Sequence, residues 1–202
     1  MADNSTLPAT GDVVAADEIS AVKYQRIKLI HGVDGVNDGD VSLTNPLPVE
    51  AGRDLQRIAV TSAGLTIATT AYTAGDQLGT QLTFANAARA SGGSGVVVGL
   101  TIVDVNDIIG PVDLVLFDSS VTLAADNAAF AVSDADALKV VQLIPTAVFD
   151  IGSNRVSQIM GLAIPYVCNG GTSLFGGLLT RTGHTFFAAT TDLTVVLYVE
   201  RN

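Results

Sequence analysis

The acidic side chains of this 202-residue chain are 17 Asp and only 3 Glu, and Lys also numbers only 3. Glu and Lys are the residues that coat exposed helix faces, so this imbalance excludes a fold built on long amphipathic helices. Val, Ile and Thr together number 57, and β-branched side chains favour the pleated, half-buried setting of a strand. The 20 Gly, with the many Asp, supply the chemistry of tight turns. Hydrophobic residues make up 48% of the chain, and its length suits one compact domain with an attached arm. The sequence predicts an all-β protein.

The net charge of −10 and isoelectric point near 4.3 argue against a nucleic-acid partner, because DNA binding draws on Lys and Arg to neutralise phosphates. One cysteine, Cys168, excludes an intrachain disulfide framework. Residues 1–16 have neither a basic start nor an apolar run, so no signal peptide is expected. The longest apolar stretches, Val96–Val103 and Ile159–Cys168, are far shorter than the roughly 20 residues of a spanning helix. The expectation is a soluble chain made in a cytoplasm, with no membrane partner.

Residues 1–22 show no sustained period and read as an extended, weakly structured leader. Lys23–Ile30 alternates polar with larger residues, the pattern of one half-buried strand. Turns follow at Gly32–Asp40, and Pro46 and Pro48 forbid a central strand. A boundary near residue 50 divides an extended N-terminal arm, 1–50, from a β-domain, 51–202. Strand-like runs in the latter are Leu55–Thr61, Leu65–Thr69, Gln81–Phe84, Gly95–Asp104, Val112–Asp118, Leu138–Leu143, Gln158–Val167, Ser173–Arg181 and Leu193–Glu200. Turn residues separate them, and roughly eight strands in such a length predict an antiparallel β-sandwich or jelly roll. One short helix is expected at Ser133–Ala137, with Ser133 as cap and Asp134 and Asp136 in the first turn.

No group of residues reads as a catalytic site. His31 and His184 are the only histidines, and the chain has no G-x-S-x-G nucleophile elbow. Cys168 closes an apolar run, where a small buried thiol is the ordinary outcome. Asp34, Asn37, Asp38 and Asp40 are the best oxygen ligands for a cation. Val36, however, stands where a calcium loop needs a carboxylate or amide, and no Glu follows at the required distance. Ser91–Gly95 lacks the Lys and helix of a phosphate-binding loop and reads as a flexible connection. Residues 90–154 hold eight Asp and one basic residue, Lys139, which is explained by turn-located Asp in a sandwich. Without Trp and with only 4 Tyr, a sugar-stacking platform is disfavoured. The expectation is a protein that is no enzyme, with no catalytic, cofactor or metal residues.

Several segments resemble structural proteins of tailed bacteriophages. In the leader these are Tyr24–Lys28, Asp34–Val41 and Asn45–Val49. In the domain they are Tyr72–Asp76, Ser91–Gly95, Asp113–Asp118, Asp126–Phe130 and Leu174–Gly176. The resemblance spans most of the chain, and none of its motifs is a catalytic signature. It implies a virion building block, most like a capsid decoration (cement) protein that binds the major capsid protein between capsomers. On that reading the chain is a homotrimer on the outer capsid surface, touching neither nucleic acid nor membrane. A tail-associated or host-glycan-binding structural module is the alternative.

Overall fold

The computed structural model describes residues 4–6, 13–19, 22–25, 54–60, 65–183 and 187–202. The chain divides into two compact units, Met1–Ala51 and Gly52–Asn202. In the first, β1 (Asn4–Thr6), β2 (Val13–Ile19) and β3 (Val22–Gln25) form an antiparallel sheet in that order. Register pairs Ser5 with Val14 and Glu18 with Lys23. The first 22 residues therefore contain paired strands where the sequence shows no alternation. Of the predicted strand Lys23–Ile30, Lys23–Gln25 belongs to β3 and the remainder lies outside the described residues.

The second unit is a sandwich of two antiparallel sheets. Its strands are β4 (Asp54–Val60), β5 (Gln77–Phe84), β6 (Ser94–Asp104), β7 (Val112–Phe117), β8 (Val140–Pro145), β9 (Val148–Asp150), β10 (Arg155–Val167), β11 (Leu174–Thr180) and β12 (Leu193–Arg201). One sheet runs β4-β12-β6-β10-β9 and the other β5-β11-β7-β8. With β9 set aside as an extra edge strand, successive strands alternate between sheets at both ends of the series. The first pairs with the last in one sheet, and the second pairs with the last but one in the other. That nesting of two Greek keys is the jelly roll. The expected all-β sandwich is what forms.

The core lies between the sheets. Val97, Leu100, Ile102, Val195 and Leu197 point into it from the five-stranded sheet, and Leu78, Leu82, Phe84, Leu114 and Leu178 from the other. All ten are fully buried. Alternation along each strand follows from the period of two that sends neighbouring side chains to opposite faces. Strand β7 is buried at every position because its second face is covered as well. Val115, Phe117 and Val121 pack there with Leu123, Phe130, Val132 and Phe175, so the connection from β7 to β8 folds over the outside of the four-stranded sheet.

The outside of the five-stranded sheet is assembled differently. Register places Leu55, Glu200, Val96 and Pro165 in one cross-strand row, and Phe149, Val156, Val103 and Thr194 in another. These residues alternate with the core set, so they share the outward face. Pro165 is tolerated inside β10 because β9 pairs only with Arg155–Ser157, leaving that edge of β10 without a ladder beyond.

Helix α1 (Asp134–Ala137) forms as expected, with the Ser133 side chain accepting the Asp136 amide. Three sequence readings need correction. Leu65–Thr69 is not a strand, although Leu65 and Ile67 are buried: apolar alternation anchors an irregular segment to the core as well as it anchors a strand. The short edge strand β9 was not anticipated. Ser91–Gly95 is not a loose connection, since Gly92 donates to the Gly171 carbonyl, Gly93 donates to Ala90 and Cys168 donates to Gly93.

Candidate functional site

The domain's polar side chains are concentrated where the chain enters and leaves its strands, and there they bind its own backbone. Asp104 ends β6 with its side chain fully buried. It accepts the amides of Asn106 at 2.8 Å and of Ile108 and Ile109 at 2.6 Å each. From β10, Arg155 completes this corner, donating to the carbonyls of Ile108 and Ile109 at 3.1 Å and pairing with Asp107 at 2.7 Å. Short side chains explain the preference for Asp over Glu: a carboxylate one methylene from the backbone reaches amides only a few residues away.

The same device recurs at other turns. Asp76 accepts the Thr73 amide at 2.7 Å and its hydroxyl at 2.8 Å. Asp126 receives the Gly79 amide at 2.6 Å and the Tyr72 hydroxyl at 2.8 Å. Tyr72 in turn accepts the Ala68 amide at 2.7 Å and meets Phe187 edge-on, ring centroids 6.0 Å apart. Burial, and then the Asp126 carboxylate, raise the Tyr72 phenol above its ordinary range, so it stays a hydrogen-bond donor. Asp192 accepts the Ala189 amide at 2.7 Å and also bonds the Asn106 side chain. Arg181 grips the buried Asp113 carboxylate through its guanidinium.

A cleft of about 310 Å³ opens between β8 and β10, lined by Asp118, Val141, Pro165, Tyr166 and Val167. Tyr166 is buried and its hydroxyl donates to the Ala87 carbonyl. Asp118 accepts the Ser119 hydroxyl at 2.7 Å. Cys168, beside this wall, is fully buried; burial, reinforced by Asp118, pushes its thiol up to about 11. A thiol of that kind is protonated at neutral pH and a poor nucleophile. The cleft is an apolar groove with one carboxylate at its rim, suited to receiving an apolar side chain.

His31, His184 and the Asp34, Asn37, Asp38 and Asp40 run lie outside the described residues. Among the described residues, no three His, Cys, Asp or Glu side chains are grouped to hold a metal ion. Among the described residues, no helix is long and apolar enough to cross a membrane. The carboxylates that matter to the fold were visible in the sequence only as turn residues. Asp126 could be suspected from its place before Asn127, but its partners could not.

No protein-family model matches the chain, and no curated protein does. Among solved structures, the chain is similar to one from the full particle of Israeli acute paralysis virus heated to 63 degrees, at 10% identity and TM-score 0.32, covering 98% of this chain and 93% of that one. It is also similar to one from the native virion of Kashmir bee virus at neutral pH, at 12% identity and TM-score 0.26, covering 97% and 91%. The jelly-roll assignment rests on the strand order itself.

Proposed function

We propose that this protein is a structural component of a virion, and more finely a decoration protein that stabilises a capsid by binding between capsomers of its major capsid protein. The observation that carries the reading is a jelly roll whose carboxylates and arginines tie down its own loops, Asp104 and Arg155 at one corner, Asp113 with Arg181, and Asp126 with Tyr72. Rigid ends and large sheet faces suit a protein that works by packing against neighbours. The phage-like segments of the sequence support the same reading, as does the net charge of −10, which is compatible with a place on the outer capsid surface away from packaged nucleic acid. On this reading residues 1–50 are an arm that ties the domain to its neighbours, and the assembled unit is a homotrimer.

The test is copy number in purified particles. A decoration protein is present in hundreds of copies per particle and is seen over the shell when labelled. A few to tens of copies at one vertex would instead assign it to the tail or a host-glycan-binding module.

A further inference from the structure

We propose that Asn169-Gly170 is a site of spontaneous modification, where the Asn169 side-chain amide is converted through a cyclic imide to aspartate and isoaspartate. The pair lies in the turn between β10 and β11, and it is the one Asn-Gly step of the chain. Both residues are exposed. Gly170 has φ +88°, and nothing lies within 4 Å of where its Cβ would stand, so the turn has room to move. Among the described residues the Gly170 amide donates to no backbone carbonyl, which leaves its nitrogen available. Other asparagines of the domain are held or crowded. Asn127 donates to Thr70 at 2.8 Å, and the amide after it, that of Ala128, donates to Ala125 at 3.1 Å. The Asn106 side chain is bonded to Asp192. Asn86 precedes the fully buried Ala87, and Asn154 precedes Arg155, where β10 starts.

The chemistry needs no reagent but water. The Gly170 nitrogen gives its proton to solvent and bonds to Asn169 Cγ, and the side-chain nitrogen leaves as ammonia, closing the imide ring. Water then opens the ring at either carbonyl. Breaking the bond from nitrogen to Cγ gives aspartate. Breaking the bond from nitrogen to the main-chain carbonyl carbon gives isoaspartate, whose backbone runs through Cγ and is one methylene longer. The sum is amide plus water giving carboxylate plus ammonium. An intramolecular attack is governed by approach of the reacting atoms, and glycine, with no Cβ, allows the closest approach and the widest backbone freedom. The turn is also a junction. Asn169 donates its backbone amide to the Asp118 carbonyl at 2.9 Å, Cys168 donates to Gly93 at 2.8 Å, and the Gly171 and Thr172 carbonyls accept from Gly92 and Ala88 at 2.9 Å each. An extra methylene in this backbone shifts those partners out of register and loosens the turn, and either product adds a negative charge to an acidic chain.

The experiment holds the full chain folded at about pH 8.5 and 37 °C, beside a second sample in urea, and digests both with trypsin against a zero-time control. Cleavage after Arg155 and Arg181 releases Val156–Arg181, in which Asn169 is the one asparagine. Mass spectrometry should show the amide-to-acid gain there, as two products of equal mass, severalfold faster than at any other asparagine. The folded rate should lie within a few-fold of the rate in urea. A folded protein that keeps Asn169 while the urea sample converts overturns the inference, as does another asparagine that converts first. Gly170→Ala should slow conversion severalfold; if that variant fails to fold at its positive φ, the comparison in urea decides, since the added Cβ obstructs the same step there. Converted protein, separated by anion exchange, should have a lower urea midpoint and faster Cys168 labelling than the unconverted fraction. Equal midpoints and labelling would overturn the loosening of the turn. None of these measurements involves particles, so their failure leaves the virion reading standing.

Discussion

Replacing Asp104 by alanine removes a carboxylate that receives three backbone amides, those of Asn106, Ile108 and Ile109. A hydrogen bond to a charged acceptor contributes about 1.5–3 kcal/mol, and a buried donor left without a partner costs about 1–3 kcal/mol. The Ile109 amide is buried, while those of Asn106 and Ile108 are only partly so and regain water when the loop relaxes. The three losses therefore do not add in full, and the expected cost is about 3–5 kcal/mol. In a domain of this size each kcal/mol lowers the melting temperature by about 2–4 °C, so Asp104→Ala should melt roughly 6–20 °C below wild type. Asp104→Asn keeps the shape and one acceptor oxygen, best placed where two amides converge, and should lose about 1–2 kcal/mol. Asp134→Ala, at an exposed position of α1, should stay within about 0.5 kcal/mol of wild type. Urea unfolding followed by circular dichroism gives all three values. An Asp104→Ala loss below about 1 kcal/mol would refute the view that carboxylates pin the strand ends, as would an asparagine variant less stable than the alanine one.

Lys139 and then the Thr122 amide hold the Asp136 carboxyl below its ordinary range, and Arg201 does the same for Asp54. A carboxyl depressed only in the folded state adds stability above the unfolded value, near 4, and loses it as pH falls through the folded value. The urea midpoint should therefore drop below about pH 4, and more gently in Asp136→Asn. Cys168 should resist a thiol-specific aromatic disulfide in the native protein and react with one equivalent in denaturant; rapid native labelling would show an open wall at β10. Gly79 has φ +74°, and a Cβ there would run into the Leu65 side chain, so Gly79→Ala should cost about 2 kcal/mol or more in the same urea assay. Deleting residues 1–50 should leave a soluble, β-rich domain by circular dichroism that binds particles weakly. Loss of the β spectrum would show that the arm is needed to fold the sandwich.

The strands that the sequence displays most clearly are those whose two faces differ or whose apolar run is bounded by turns. Ser94–Asp104, Val112–Phe117 and Leu193–Arg201 lie within a residue or two of where their patterns place them. Strand β5 begins at Gln77 rather than Gln81 because Gly79, at positive φ, interrupts the alternation while the ladder continues around it. Leu65–Thr69 shows the converse, since burial of Leu65 and Ile67 imitates a strand without a partner. Pairing is not local information: nothing within Leu193–Arg201 says that it lies between β4 and β6. The role of the aspartates stayed hidden for the same reason. Their abundance is a property of composition, whereas the amides they hold, such as Gly79 on Asp126, 47 residues apart, are fixed only by the closed fold.

Strand β12 is the last element of the domain and lies inside the five-stranded sheet, hydrogen-bonded to β4 on one side and β6 on the other. During synthesis β4 has no neighbour in its sheet until Leu193–Arg201 has left the ribosome. Until then the nascent domain carries an unfinished sheet and an uncovered future core, Leu100 and Ile102 included. Closing a loop of well over a hundred residues between first and last strand is entropically slow, which places this domain among the slow folders of its size. Loss of Leu193–Arg201 alone would leave β4 without a neighbour in its sheet and β6 with an open edge. Such a product should be recovered as aggregate.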